Sequence, residues 1–186
     1  LIDEVAAESF TVTVASATGG NFENLVISGT NNSVTTAITD NDNAPTIAVS
    51  SQSVAEAGGF AVFTVSLSNP SSTATTVSLT LASGVTTPAI GSGTDYGSGT
   101  ATNLQVSTDG GSTWTNATTA TFAAGATSVL VRTPITSDAL DETDETFTLT
   151  ATRTAGTTAN ASAVGTTTIT DDDATPSLSI GNVSVN

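Results

Sequence analysis

The sequence contains no cysteine, histidine, methionine or lysine among its 186 residues. Without cysteine no disulfide can form, and without cysteine and histidine the thiolate and imidazole metal sites are excluded. These absences also remove the usual catalytic bases and nucleophiles, so we expect a protein that is not an enzyme. A glycosidase-like pair of acids is the one catalytic arrangement left open. Any bound metal must be a hard cation held by oxygen atoms.

Positive charge is also nearly absent, because two arginines face 17 acidic residues and the formal net charge is -15. So negative a surface repels nucleic acid and anionic lipid, and we expect neither as a partner. No apolar run approaches the roughly 20 residues of a membrane span, so we expect no membrane insertion. Because Leu1 is not an initiator methionine, we interpret the chain as an internal piece of a longer one.

What the sequence does contain is threonine, serine, valine, alanine and glycine in alternating runs such as "FAVFTVSLS" and "TFTLTATR". Alternation of apolar and small polar residues is typical of half-buried strands, and Gly, Asn, Asp and Pro separate the runs. The pattern predicts an all-β protein, an antiparallel Greek-key β-sandwich of immunoglobulin-like type. We expect Phe10, Phe60, Phe63, Phe122 and Phe147 in its core.

An internal repeat sets the domain organisation. Pro45 and Pro176 lie 131 residues apart, as do Asp40 and Asp171. Upstream, "IDEVAAESFTVTV" from Ile2 parallels "LDETDETFTLTA" from Leu140, with one inserted residue before the phenylalanine. Tandem repeats are therefore predicted, with the following bounds: residues 1–43 form the C-terminal part of one repeat, 44–173 a complete repeat, and 174–186 the start of a third.

Most acidic residues are clustered along the chain. Two further acids, Glu56 and Asp95, stand alone at predicted strand ends. Thirteen of the seventeen lie in four clusters: Asp3, Glu4 and Glu8; Asp40 and Asp42; Asp138, Asp141, Glu142, Asp144 and Glu145; and Asp171, Asp172 and Asp173. If strands alternate in direction, the segments with Glu56, Asp95, the 138–145 loop and the last cluster share one end of the sandwich.

Carboxylates crowded at one end repel one another. At about 5 Å and an effective dielectric constant near 20, each pair repels by roughly 3 kcal/mol before salt screening. Ca²⁺ relieves that repulsion, since it takes about six to eight oxygen ligands and tolerates irregular geometry. The sequence therefore predicts about two to four Ca²⁺ ions at the end of a repeat.

Four motifs in order resemble the Calx-beta family: "SVAEAGGFAVFTVSLS", "GSGTDYGSG", "ITSDALDETDETFTL" and "TTTITDDD". The resemblance covers Pro45 to Asp173 and implies a calcium-binding sandwich. The calcium ligands that it implies are Glu56, Asp95, Asp138, the carbonyl of Leu140, Glu142, Glu145, Asp171, Asp172 and Asp173. In the upstream repeat the corresponding residues are Glu4, Glu8, Asp40 and Asp42.

The chain departs from the family pattern at several positions. Ser137 and Ala139 stand where the family often has further aspartates, and Asn41 replaces the central acid of the upstream triplet. The stretch from 99 to 118 is longer than usual and predicts an added hairpin that turns at Asp109-Gly110-Gly111. Its tryptophan, Trp114, either packs over the sheet or contacts a ligand or partner.

Two other interpretations of the acidic residues are open. "DNDNAP" resembles the linker motif of cadherins, but the mid-domain D-x-D and the L-D-R-E motif of cadherin repeats do not occur. In the second interpretation, the acidic clusters are solvated loops that keep the protein soluble, as in halophilic proteins. The Calx-beta resemblance and the cadherin resemblance both imply a calcium ion at the junction between domains.

The function predicted from these features is a calcium-binding structural repeat of an extracellular bacterial adhesin, stalk or surface-fibre protein of the biofilm type, with Ca²⁺ stiffening the inter-domain junctions. A regulatory calcium-sensor module, a cadherin-like adhesion repeat, and a subunit that polymerises into a fibre or surface layer are the alternatives. The expected partners are adjacent repeats of the same chain, with other copies or cell-surface and matrix components as further candidates. The expected location is the cell surface.

Overall fold

A computed structural model describes residues 2–4, 7–98 and 104–184. In this part of the chain there are twelve strands, one 3-10 turn at Glu56–Gly58, and no helix long and apolar enough to cross a membrane. The strands are β1 (Glu8–Thr13), β2 (Ser33–Ile38), β3 (Ile47–Val49), β4 (Gln52–Ala55), β5 (Phe60–Leu67), β6 (Thr75–Ser83), β7 (Gln105–Ser107), β8 (Thr115–Asn116), β9 (Thr119–Phe122), β10 (Ser128–Pro134), β11 (Glu145–Ala155) and β12 (Ser162–Thr170).

Two five-stranded sheets form the predicted Greek-key β-sandwich. Their strand orders are β3-β5-β10-β7-β8 and β4-β12-β11-β6-β9, so from β3 onward each strand lies in the other sheet from the one before it, except within the pairs β7–β8 and β11–β12. The pairings are antiparallel except that of β4 with β12, which is parallel. The exception arises because the first strand divides: β3 joins one sheet and β4 the other. The residues that follow β4 and β12 therefore emerge side by side.

The core lies between the sheets and consists of side chains at alternate strand positions. The predictions for Phe63, Phe122 and Phe147 are confirmed, since each is almost fully buried. The predictions for Phe10 and Phe60 are wrong, because these side chains are 53% and 39% exposed. Phe60 projects from the outer face of its sheet, where its ring contacts a guanidinium group.

Strands β1 and β2 form a separate antiparallel hairpin with the same register as β11 and β12. Glu8 faces Ile38 as Glu145 faces Ile169, and Phe10 faces Thr36 as Phe147 faces Thr167. The side chains of β1 and β2 are exposed, so Phe10 is open to solvent because no second sheet covers it in the described part of the chain. The two strand pairs therefore share one register, and the tandem repeat stays a prediction.

The predicted added hairpin is formed by β7 and β8 and turns through Asp109, Gly110 and Gly111. Hydrogen bonds from Thr113 and from Ser107 hold the pKa of Asp109 down at about 2. Residues 99–103 of the hairpin lie outside the described residues, as do residues 1, 5 and 6 of the upstream piece and 185 and 186 of the downstream piece.

Trp114 packs over the sheet. The guanidinium carbon of Arg132 lies 4.1 Å from the centroid of the Trp114 ring and 4.1 Å from that of the Phe60 ring. Arg132 also donates from Nε to Oε1 of Gln105 at 2.8 Å. This cation–π contact fastens the added hairpin to the outer face of the sheet.

Candidate metal centre

Four separate segments bring carboxylates to one end of the sandwich. Glu56 follows β4 and Asp173 follows β12, so the parallel pairing of these strands places the two residues together. Asp95 lies in the connection after β6, where its carbonyl accepts a hydrogen bond from the Thr136 amide at 2.9 Å. The loop between β10 and β11 supplies the remaining acids. We call this end the acidic tip.

The acidic tip contains two groups of three carboxylates. Each residue offers one oxygen, and within each group these oxygens lie within 4.8 Å of one another. The Glu56 triad consists of Glu56, Asp138 and Asp173, and the Glu145 triad of Asp95, Glu142 and Glu145. A cavity between the triads is lined by Glu56, Asp95, Glu142, Thr143, Glu145, Ile169 and Asp171.

Main-chain amides hold several of these carboxylates in place. The Asp138 amide donates to Oε1 of Glu56 at 3.1 Å, and the Leu140 amide donates to Oδ1 of Asp138 at 2.8 Å. In the last cluster the Asp173 amide donates to Oδ1 of Asp171 at 3.4 Å. These contacts fix the backbone that carries the acids, but an amide dipole does not neutralise a full negative charge.

The acidic tip lacks compensating charge from the two arginines. Arg132 bonds Gln105, and Arg153 donates to the Gly156 carbonyl at 3.0 Å. Glu56 is buried, and Oδ2 of Asp173 is buried without a hydrogen-bond partner. Buried polar atoms are normally satisfied, so an unpartnered carboxylate oxygen facing other acids is typical of a site for a cation.

The electrostatic strain appears in the pKa values of these groups. Desolvation, followed by a hydrogen bond and repulsion from Asp95, raises the pKa of Glu145 to about 7. Desolvation is also the largest cause of the raised pKa values of Glu56, Glu142 and Asp173, with neighbouring carboxylates adding to it. The acidic tip therefore favours either bound protons or a bound cation.

The stability of the metal-free protein should fall as the pH rises from about 4.5 to 7. Below this window Glu145 is protonated in both the folded and the unfolded chain. Within the window the unfolded chain releases the proton while the folded chain keeps it, so the free energy of unfolding falls until the pH passes the folded-state pKa of about 7. We expect a loss of about 1 to 2 kcal/mol, because solvent screens part of the repulsion.

Thermal unfolding in chelator across this pH range measures the effect. The Glu145→Gln variant should show a flatter dependence, whereas Glu23→Gln, which removes a carboxylate far from the triads in sequence, should retain the slope. A melting temperature that rises through the window would contradict the assignment. The lowered pKa of Asp109, about 2, acts outside this range.

A third triad lies at the junction between the β1–β2 hairpin and the sandwich. The Glu4 triad consists of Glu4, Asp40 and Asp42, whose oxygens also lie within 4.8 Å of one another. The Asp42 amide donates to Oδ1 of Asp40 at 3.1 Å. Desolvation, and then repulsion from Asp40, raises the pKa of Glu4. Glu8 lines the adjacent cavity with Glu4 and Asp40.

Nine of the predicted ligand residues therefore enter the three triads. Of the others, Asp171 lines the cavity of the acidic tip and Glu8 that of the junction. Asp172 is exposed and belongs to neither triad of the acidic tip. Leu140 contributes its amide to Asp138, and its side chain is 61% exposed.

The sequence prediction missed two contributors to the acidic tip. Asp144 accepts a hydrogen bond from the Asp171 amide at 3.3 Å, and Thr143 lines the cavity. Asp144 belongs to the same acidic run as the predicted ligands, and nothing in its neighbours along the chain marks it as a support for the last cluster rather than as a ligand.

The donor set fits a hard divalent cation. It consists of carboxylate oxygens from irregularly spaced segments. One of these oxygens, Oδ2 of Asp173, is buried and has no hydrogen-bond partner. Ca²⁺ accepts oxygen donors in irregular geometry, whereas Mg²⁺ demands six ligands in nearly ideal geometry.

Comparison with known proteins gives structural similarities. No protein-family model and no curated protein matches the chain. Similar solved structures are CBD12 from CALX1.2 and the calcium binding domain CBD12 of CALX1.1, both with a TM-score of 0.48, 20% identity and 68% of this chain covered. The chain spans 46% and 44% of those two chains. The apo form of the Calx CBD1 domain aligns with a TM-score of 0.47 and 19% identity over 69% of this chain and 99% of that domain.

Proposed function

We propose that this chain is a calcium-binding structural module and that Ca²⁺ bound by its triads fixes each repeat to the next. The observation that carries the proposal is the acidic tip, where six carboxylates from four segments form two triads while both arginines are bonded elsewhere. Such an arrangement is costly without a cation, because like charges repel strongly where solvent access is reduced.

Each triad would supply the carboxylates for one cation. The Glu56 triad and the Glu145 triad would hold two ions in the acidic tip, and the Glu4 triad would hold a third at the junction. Three carboxylates leave further coordination positions for main-chain carbonyls, neighbouring acids such as Asp171, or water. The bound ions neutralise charge and join segments that are distant in sequence.

Calorimetric titration of the metal-stripped chain with CaCl₂ tests the proposal. We expect about three ions per chain, with affinities in the weaker range of oxygen-ligand sites, about 10⁻⁴ to 10⁻³ M for extracellular modules. The double variant Glu56→Gln/Glu145→Gln should lose the ions of the acidic tip and retain the one at the junction.

The control for this titration is Glu23→Gln, which removes one negative charge outside the triads and should bind calcium as the parent chain does. Equilibrium dialysis with ⁴⁵Ca provides an independent count. Absence of bound calcium at millimolar concentration by both methods would refute the proposal.

The position of the Glu4 triad supports a role in a stalk. Asp40 and Asp42 lie in the connection between the β1–β2 hairpin and the complete sandwich, and Glu4 precedes β1, so a cation there would restrain the angle between consecutive modules. We extend the proposal to tandem modules with the bounds 1–43, 44–173 and 174–186, which the matching registers of β1–β2 and β11–β12 support. An extracellular adhesin or surface fibre is the setting in which millimolar calcium would saturate such sites.

A further inference from the structure

A contact between the upstream piece and the sandwich is made by the main chain of Asp3. The Asp3 amide donates to the Pro70 carbonyl at 3.1 Å, and the Ser72 amide donates to the Asp3 carbonyl at 2.9 Å. The two hydrogen bonds form a parallel bridge with Ser71. Asp3 is only 7% exposed, so the contact is closed to solvent.

The segment that receives Asp3 is residues 68–72, between β5 and β6, which we call the receptor loop. The linker, residues 39–46 between β2 and β3, is joined to Ser68 by two hydrogen bonds: the Thr46 amide donates to Oγ of Ser68 at 2.9 Å, and the Ser68 amide donates to the Thr46 carbonyl at 3.0 Å. Nδ2 of Asn69 donates to the Asn43 carbonyl at 3.0 Å. The receptor loop is therefore hydrogen-bonded both to Asp3 and to the linker.

The repeat relates Asp3 to a residue of the complete module. Ile2-Asp3-Glu4 corresponds to Leu140-Asp141-Glu142 in the sequence alignment, so Asp141 occupies the position of Asp3. Asp3 is followed by a complete module and is buried, whereas Asp141 is exposed and no strand follows β12 in the described residues. The same position is thus seen both with and without a following module.

Glu4, the residue after Asp3, has a different role from Asp3. Glu4 belongs to the triad of the junction, while Asp3 does not, as expected for successive residues of an extended segment whose side chains alternate. In the complete module Glu142 likewise belongs to the Glu145 triad and Asp141 to neither triad. One short segment therefore carries a cation ligand and a docking residue side by side.

We infer that the Asp141 position of each module is a docking site for the receptor loop of the next module, joined by main-chain hydrogen bonds. This inference rests on the proposed tandem arrangement and identifies the partner surface at each junction. Because main-chain groups make the bridge, proline at this position, which has no amide hydrogen, would remove the hydrogen bond that the Asp3 amide donates.

Pulsed electron–electron double resonance, which measures the distance between two spin labels, tests the docking on the full chain. The chain lacks cysteine, so Thr13→Cys and Thr119→Cys, both at exposed positions, carry the two spin labels without competing sites. In calcium we expect one narrow distance distribution. Asp3→Pro and Ser72→Pro should each broaden it by about twofold, because modules without a firm interface move relative to one another.

Three matched variants separate main-chain from side-chain effects. Ser72→Ala and Asp3→Ala retain the amides and should leave the distribution narrow. Asp141→Pro alters the corresponding position of the complete module and should leave the distance between these labels unchanged. Two proline variants are used so that one can be judged if the other fails to fold.

The outcome is judged together with calcium titration of the same proteins. Distributions in Ser72→Pro and Asp3→Pro as narrow as in the parent would overturn the docking, whether or not calcium binds. If the parent binds no calcium, the proposed function fails; the docking is then judged by the same distances without calcium, where proline-dependent broadening supports it and its absence overturns it.

Discussion

Saturating calcium should raise the melting temperature of the metal-free chain by about 10 °C or more. A ligand at about 100 times its dissociation constant stabilises the folded state by about 2.7 kcal/mol per site, so the two triads of the acidic tip together contribute roughly 5 kcal/mol. For a chain of this size each kcal/mol raises the melting temperature by about 2 to 4 °C.

Differential scanning calorimetry in chelator and in calcium measures this shift. Magnesium at the same ionic strength separates specific binding from screening, and it should produce a smaller rise because Mg²⁺ gives up its water ligands reluctantly and demands nearly ideal octahedral geometry. The Glu56→Gln/Glu145→Gln variant should lose most of the shift, and Glu23→Gln should keep it. Superimposable curves with and without calcium would contradict a structural role for the triads.

Replacing Phe147 by alanine should lower the free energy of unfolding by about 3 to 5 kcal/mol. The Phe147 side chain is fully buried, stacks on Tyr96 with 4.2 Å between ring centroids, and meets the edge of Phe63 at 6.0 Å. Its removal leaves a cavity between the sheets. Because Tyr96 follows Asp95 and Phe147 lies two residues after Glu145, the substitution should also weaken calcium binding at the Glu145 triad.

The chain provides a matched control in Phe10, which occupies the corresponding position of the β1–β2 hairpin and is 53% exposed. Phe10→Ala should cost less than about 1 kcal/mol, because little buried surface is lost. Urea unfolding in chelator compares the two variants without the contribution of calcium. Equal losses would show that the exposed hairpin is part of the cooperative core.

Much of the fold could be predicted from the sequence because a strand with one buried face has a period of two. The alternation in β5 and β11 shows this directly, and the acids after successive strands indicated a common end. The same rule shows the error at Phe60: Phe60 and Phe63 are an odd number of positions apart, so they face opposite sides of β5. One of them had to lie outside the core.

The parts that could not be predicted depend on contacts between distant segments. Division of the first strand into β3 and β4, and the parallel pairing of β4 with β12, leave no local signal in the sequence. The separation of the acids into two triads follows from that pairing, because it sets Glu56 beside Asp173 rather than beside Asp95. The docking of Asp3 also cannot be predicted from the sequence, because it depends on main-chain hydrogen bonds and not on the type of side chain.

The parallel pairing of β4 and β12 also determines how a module carries tension. The chain enters through β3, continues into β4 and leaves at the end of β12, and the paired residues of β4 and β12 run from Thr167 with Gln52 to Thr170 with Ala55. Force applied along the polypeptide therefore slides these strands past each other in shear and loads their hydrogen bonds together rather than one after another. This geometry resists pulling, and the carboxylates that meet just beyond it lie where the load leaves the module.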